Sequence, residues 1–117
     1  TNSGHSLGAA AGLATIEYIM NNNLVYNSQE MGTYIKNILE DELIRFDFIK
    51  MLRGKGLLVA FNVMDSQLCE RILEKTLHNG LIVRETNGVI ALLPALTIDK
   101  PTCDMLIERL LKSLREV

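Results

Sequence analysis

The chain has no tryptophan, and aromatic residues make up only 5% of its 117 positions. Any core must therefore be built from aliphatic side chains. Cysteine is nearly absent as well: Cys69 and Cys103 are the only two. Two cysteines so far apart do not make a disulfide framework, and both fall on segments of helical period. They are expected to be buried, reduced thiols behaving as small hydrophobes, in keeping with a cytoplasmic compartment. No like-charge block reaches five residues and the net charge is −2, which excludes the basic stripe that nucleic-acid binding requires. No apolar run approaches the roughly 20 residues that span a bilayer, and no charged segment followed by an apolar one marks a leader at the amino terminus. The expected partners therefore include neither nucleic acid nor membrane.

What remains is an ordinary globular composition, 48% hydrophobic and 22% charged. A chain of this length buries about two-thirds of its unfolded surface, enough for one domain with a real core. The opening residues 1–8 are polar and glycine-containing and read as a loop. Helical spacing follows over 6–21, with Leu7, Ala10, Ala11, Ala14 and Tyr18 on a small apolar face. Gly8 and Gly12 flank that face and predict close helix packing. Asn21, Asn22 and Asn23 break this helix and are expected to cap the next with their side chains. That second helix covers 24–43, where Met31, Ile35, Ile38, Leu39 and Leu43 recur at the helical period.

Residues 46–52 read as a short extended segment. Arg53, Gly54, Lys55 and Gly56 read as a strand-connecting turn, followed by a central strand over 57–63. Asp65 or Ser66 caps a third helix over 66–79, closed by Gly80 in a left-handed conformation. A strand over 81–85 then meets Asn87-Gly88, the strongest short hairpin signal, because both residues tolerate positive φ. The return strand covers 89–93 and Pro94 ends it. Asp99 caps a last helix whose buried stripe is Leu106, Ile107, Leu110, Leu111 and Leu114, with Pro101 tolerated in the first turn. The order helix, helix, strand, strand, helix, hairpin, helix predicts an α+β fold: a small, mostly antiparallel sheet of three or four strands with helices packed on it.

Little in this pattern is chemistry. The run 53–56 lacks the spacing of a phosphate-binding loop. His5 and His78 have no partners at metal-ligand spacing. There is no nucleophile elbow. Glu40, Asp41, Glu42, Glu70 and Glu74 read as solvated helix faces. The residues alone therefore allow a non-catalytic α+β module for ligand binding or interaction.

Three stretches in order carry more than that. TNSGHSLGAAAGLATIE (1–17), IKMLRGKGLLVAF (49–61) and GVIALLPALTID (88–99) together resemble the carboxyl-terminal part of class III, pyridoxal-phosphate-dependent aminotransferases. The resemblance covers essentially the whole chain. It implies the small domain of a fold-type-I enzyme, with 1–23 as an interdomain loop and helix and 24–117 as the domain proper. It implies a homodimer that transfers an amino group between an amine or amino acid and a keto acid. An epimerase or aminomutase using the same cofactor is the alternative within the family.

Thr1 matches the residue that in the family contacts the cofactor phosphate across the subunit interface. The family's cofactor-bearing lysine is expected upstream of Thr1, and no lysine here takes its role. The chain is thus expected to be part of a longer enzyme and inactive alone, with no catalytic residue of its own. Ser6 and Ala95 stand where the family usually has proline. Ala91 is the departure that matters: it occupies the place of an arginine that grips the substrate carboxylate, and alanine cannot replace a bidentate guanidinium.

A two-residue turn at Asn87-Gly88 pairs 86 with 89, 85 with 90 and 84 with 91, and directly paired residues share a sheet face. Arg84 would then stand beside Ala91. Three readings stay open: Arg84 supplies the missing guanidinium from the neighbouring strand; Arg84 is a solvent-facing or structural residue; or the substrate carries no carboxylate there, as amines and ω-amino compounds would allow. Ser3-Gly4-His5 leans toward ω-aminotransferase-like members.

Overall fold

The computed structural model describes residues 3–117. Four helices, α1 (Ser6–Asn21), α2 (Leu24–Leu43), α3 (Ser66–His78) and α4 (Lys100–Arg115), accompany four strands, β1 (Ile49–Lys55), β2 (Leu58–Val63), β3 (Arg84–Thr86) and β4 (Val89–Leu92). The strands form one antiparallel sheet in the order β1-β2-β4-β3. The expected α+β architecture and element order are what the chain adopts.

The sheet is two-faced because its central strands alternate. Val59, Phe61 and Val63 of β2 and Ile90 and Leu92 of β4 are buried, while the residues between them are half-buried. The buried face meets Ile35, Leu39 and Leu43 of α2, Cys69 and Ile72 of α3, and Cys103, Ile107, Leu110 and Leu114 of α4 in one aliphatic core. Phe61, fully buried, is its largest side chain. Cys69 and Cys103 are free and buried, as expected.

The hairpin forms in the derived register: Thr86 pairs with Val89, Glu85 with Ile90 and Arg84 with Ala91. Asn87 and Gly88 take φ of 52° and 79°, the positive pair that a type I′ turn needs. The Glu85 carboxylate accepts from the Gly88 N–H at 2.8 Å, tightening the turn.

Several boundaries differ from the sequence expectation. The strand expected over 81–85 is only Arg84–Thr86. The reason lies in the end of α3. The Gly80 N–H donates to the Leu77 carbonyl at 3.0 Å and the Leu81 N–H to the Thr76 carbonyl at 2.8 Å. This is a Schellman closure, with Gly80 at φ 76°, so Leu81 commits its donor to the helix rather than to a ladder. Arg109 completes the end, its guanidinium donating to the Gly80 carbonyl at 2.7 Å.

The turn expected over 53–56 is also displaced. Arg53, Gly54 and Lys55 continue β1, and the chain reverses at Gly56 and Leu57 alone, between Lys55 and its partner Leu58. Upstream, Phe46 and Ile49 donate into successive turns, onto the carbonyls of Leu43 and Phe46, so β1 starts at Ile49.

No asparagine side chain caps α2. Asn22 instead donates from its side chain back to the Tyr18 carbonyl of α1 at 2.9 Å. Asn23 makes the corner by its left-handed φ of 52°. The close packing expected around Gly8 and Gly12 is not found among the described residues: a Cβ at Gly12 would meet nothing within 4 Å, and no residue of α1 is buried. The helix is capped at its start by His5, whose Nδ1 accepts from the Gly8 N–H at 3.1 Å.

Candidate functional site

With the helices on one face, the other face of the sheet is open. Its make-up follows from the pairing. Arg53 of β1 pairs with Ala60 of β2, Ala60 with Ala91 of β4, and Ala91 with Arg84 of β3. These four residues form one row across the whole sheet, an arginine on each edge strand and two alanines between. Arg53 and Arg84 are exposed, and both alanines are half-buried. The expected neighbour relation of Arg84 and Ala91 is therefore present. Thr1, the residue matched to cofactor contact, lies outside the described residues.

Arg53 is the residue that sequence reasoning missed. It stands on the open face in the register set by the Gly56-Leu57 turn, and β1 is irregular just upstream of it. Lys50 pairs with Asn62, yet Arg53 pairs with Ala60, so three residues of β1 advance against two of β2. Counted from the Ile49 end without the extra residue, Arg53 would oppose Val59, a core residue only 1% exposed. The extra residue lies upstream of Arg53, so Ile49 and Lys50 are shifted by one relative to the register set at the turn. Met51, within this bulge, carries the strain with φ 54°, a conformation uncommon for a side chain of its kind. The guanidinium is held in place: its Nη1 donates to the Met51 carbonyl at 3.0 Å and to the Asn62 side-chain oxygen. Reading β1–β2 as a hairpin with its turn at Gly56-Leu57 would have placed Arg53 near Ala60; reading 53–56 as a turn hid it.

Two clefts lie elsewhere. One of about 440 Å³ runs between 94–99 and α4, lined by Asp99, Met105 and Arg109. Another of about 540 Å³ lies between α2 and the β1–β2 turn, lined by Ser28, Gly32, Lys36 and Lys55. Neither is lined by Arg53, Ala60, Arg84 or Ala91.

Titratable groups show no catalytic pairing. Burial pushes the thiols of Cys69 and Cys103 up, with nearby carboxylates adding to the effect. The hydrogen bond to Asp104 raises the Tyr34 hydroxyl. Hydrogen bonds from the Thr102 side chain and N–H hold the Asp99 carboxyl below its usual range, as befits the cap of α4. No group of three or more metal-ligating side chains gathers among the described residues. None of the lysines is buried, so the described residues offer no site that would hold an aldehyde cofactor by a desolvated amine. No helix of the described chain is long and apolar enough to cross a membrane.

Comparison with known proteins agrees with the fold. The family described as aminotransferase class-III matches residues 1–114. The ornithine aminotransferase of Bacillus subtilis (strain 168) is 34% identical over 118 residues, covering 98% of this chain and 28% of the relative. A transaminase from the marine bacterium Virgibacillus superposes with a TM-score of 0.92 at 27% identity, covering 99% of this chain and 30% of that one. The ornithine aminotransferase of Toxoplasma gondii, described with partial occupancy of PLP at its active site, superposes at 0.78 with 28% identity over 85% of this chain and 24% of that one. The chain thus spans a little over a quarter of the length of the curated relatives it matches.

Proposed function

Because this chain belongs to the class-III aminotransferase family, we propose that the whole protein is a pyridoxal-phosphate-dependent aminotransferase, moving an amino group between an amine or amino acid and a keto acid. The match over 1–114 carries this reading. Residues 24–117 serve as the carboxyl-terminal small domain, and 1–23 as the loop and helix leading into it. The protein works as a cytoplasmic homodimer. Thr1 contacts the cofactor phosphate of the partner subunit, since a hydroxyl suits a phosphate oxygen.

Bound pyridoxal phosphate supplies the electron sink for the chemistry. This chain supplies one wall of the substrate site. Ala91 leaves β4 without a guanidinium, and Arg84 beside it presents one from β3. The donor is then a carboxylate-bearing amino compound, and ornithine is the one to try first, since relatives of this chain are named ornithine aminotransferases. Ala91 also favours a second reading, a simple amine with no carboxylate to hold.

Purified whole protein tests the proposal. It should show the visible absorbance of bound cofactor and consume ornithine in preference to an alkylamine of equal length. Absence of that absorbance overturns the enzyme reading. Arg84→Ala should raise KM for the carboxylate donor and leave KM for the alkylamine alone. An unchanged KM for both removes Arg84 from the site and favours the simple amine.

A further inference from the structure

We propose that the cleft between α2 and the β1–β2 turn binds the phosphate group of a small phosphate monoester, with Lys36, Lys55 and Ser28 as its donors. The site is built entirely within this chain and stands apart from the aminotransferase reading.

Two glycines make the cleft. Gly32 of α2 and Gly56 of the turn lie against each other with no room for a Cβ: one built on Gly32 would fall 2.0 Å from the Gly56 carbonyl oxygen. Beside that contact the chain leaves a space of about 540 Å³. Ser28, Gly32 and Lys36 follow at four-residue intervals and so share one stripe of α2, and this stripe faces the space together with Gly54, Lys55 and Gly56. The run 53–56 has no phosphate-loop spacing of its own. The fold brings it the hydroxyl and the second lysine from α2.

The lining is one-sided in charge. Two lysines contribute to it, and no aspartate or glutamate does, although acids outnumber Lys and Arg by 14 to 12 in the chain. Lys55 has no carboxylate partner among the described residues. Lys36 has Glu40 one turn along α2, at 3.5 Å, an exposed pair that water and salt screen. An anion entering the cleft therefore meets two cations and no lining charge of its own sign.

Uncharged donors wait there as well. The Ser28 hydroxyl accepts from the Leu57 N–H at 3.2 Å, which fixes its oxygen and leaves its proton to donate. A Cβ on Gly56 would lie 2.6 Å from that oxygen, so glycine is what lets the hydroxyl sit against the turn. Among the described residues neither the Ser28 O–H nor the Gly56 N–H has an acceptor. Both residues are half-buried, and polar groups withdrawn from water are normally paired. A phosphate offers several acceptor oxygens at once. Lysine suits it, being a compact charge with three rotatable donors, whereas the planar fork that fits a carboxylate belongs to arginine, and no arginine lines this cleft. The space exceeds one phosphate group and includes the exposed Val25, which leaves room for the ester's organic part.

The test is a titration of the 117-residue chain, whose aliphatic core is its own, followed by the amide resonances of Gly32, Gly54 and Gly56. Inorganic phosphate and glycerol 1-phosphate are the probes, with sodium chloride holding ionic strength constant. The three glycines should shift saturably with both, and the ester should bind at least as tightly as phosphate. Lys36→Gln and Lys55→Gln should each weaken binding about fivefold, and Lys55→Glu should abolish it. Lys112→Gln removes the same charge from α4, outside the cleft lining, and should change nothing. Dispersed spectra of each variant check that the fold persists. Glycines that respond to chloride as they do to phosphate, or Lys36→Gln and Lys55→Gln variants that bind as the parent does, mean an adventitious ion only and overturn the site. An ester that does not bind where phosphate does overturns the ligand class.

Discussion

Replacing Gly32 by alanine should destabilise the chain, although helix propensity argues the opposite. Gly32 lies inside α2, where alanine is favoured over glycine by about 1 kcal/mol. The β1–β2 turn lies directly against it. A Cβ at Gly32 would come within 2.0 Å of the Gly56 carbonyl oxygen and 2.2 Å of its carbon. Ordinary contact begins at 3.4 Å, so the turn would have to retreat by about 1.4 Å (3.4 − 2.0), and both partners are backbone. The retreat pulls on the hydrogen bond from the Leu57 N–H to the Ser28 hydroxyl, 3.2 Å long, which contributes about 1 kcal/mol. Overpacking of this kind costs up to about 3 kcal/mol. Set against the propensity gain of about 1 kcal/mol, the net loss should approach about 2 kcal/mol, or roughly 8 °C in Tm for a domain of this size. Urea unfolding followed by far-ultraviolet circular dichroism measures it. Gly12→Ala is the control: a Cβ there meets nothing, so that variant should be neutral or gain helicity. If Gly32→Ala is as stable as the parent, the close approach of helix and turn is wrong.

That close approach shows where the sequence stops being legible. Periodicity locates α2 and α3 to within a residue or so and finds the buried stripe of α4, because burial on one face of a helix leaves a repeating trace; α1 shows helical spacing too, although none of its residues is buried in this chain. The Asn87-Gly88 turn is legible for a different reason: two residues that accept positive φ fix the register of both strands, so turn chemistry alone pairs Arg84 with Ala91. Gly54 and Gly56 mislead by the same logic. Glycine marks a turn when φ is positive, as at Gly56. It also marks a place where backbone must pass close by, as at Gly54, where a Cβ would lie 2.3 Å from the Leu58 carbonyl. Local sequence does not distinguish the two. Arg53 is hidden for a further reason. Its face follows from the two-residue turn at Gly56-Leu57, which pairs Lys55 with Leu58 and so Arg53 with Ala60, but Gly54 offers a competing turn that hides this register. Both ends of the arginine row are thus written in turn chemistry, and only one of the two turns is unambiguous in the sequence.

The remaining expectations concern titration and reactivity. Hydrogen bonds from Thr102 depress the Asp99 carboxyl in the folded chain, so its contribution is complete above the ordinary carboxylate range and is lost as pH falls through the lower folded value. The stability difference between the parent and Asp99→Asn, measured in urea at several pH values, should shrink on acidification, and a gap that ignores pH contradicts the cap. Cys69 and Cys103 are buried with their thiols raised, so native protein at mildly alkaline pH should label slowly with a disulfide reagent and reveal two thiols once unfolded; rapid native labelling would contradict their burial.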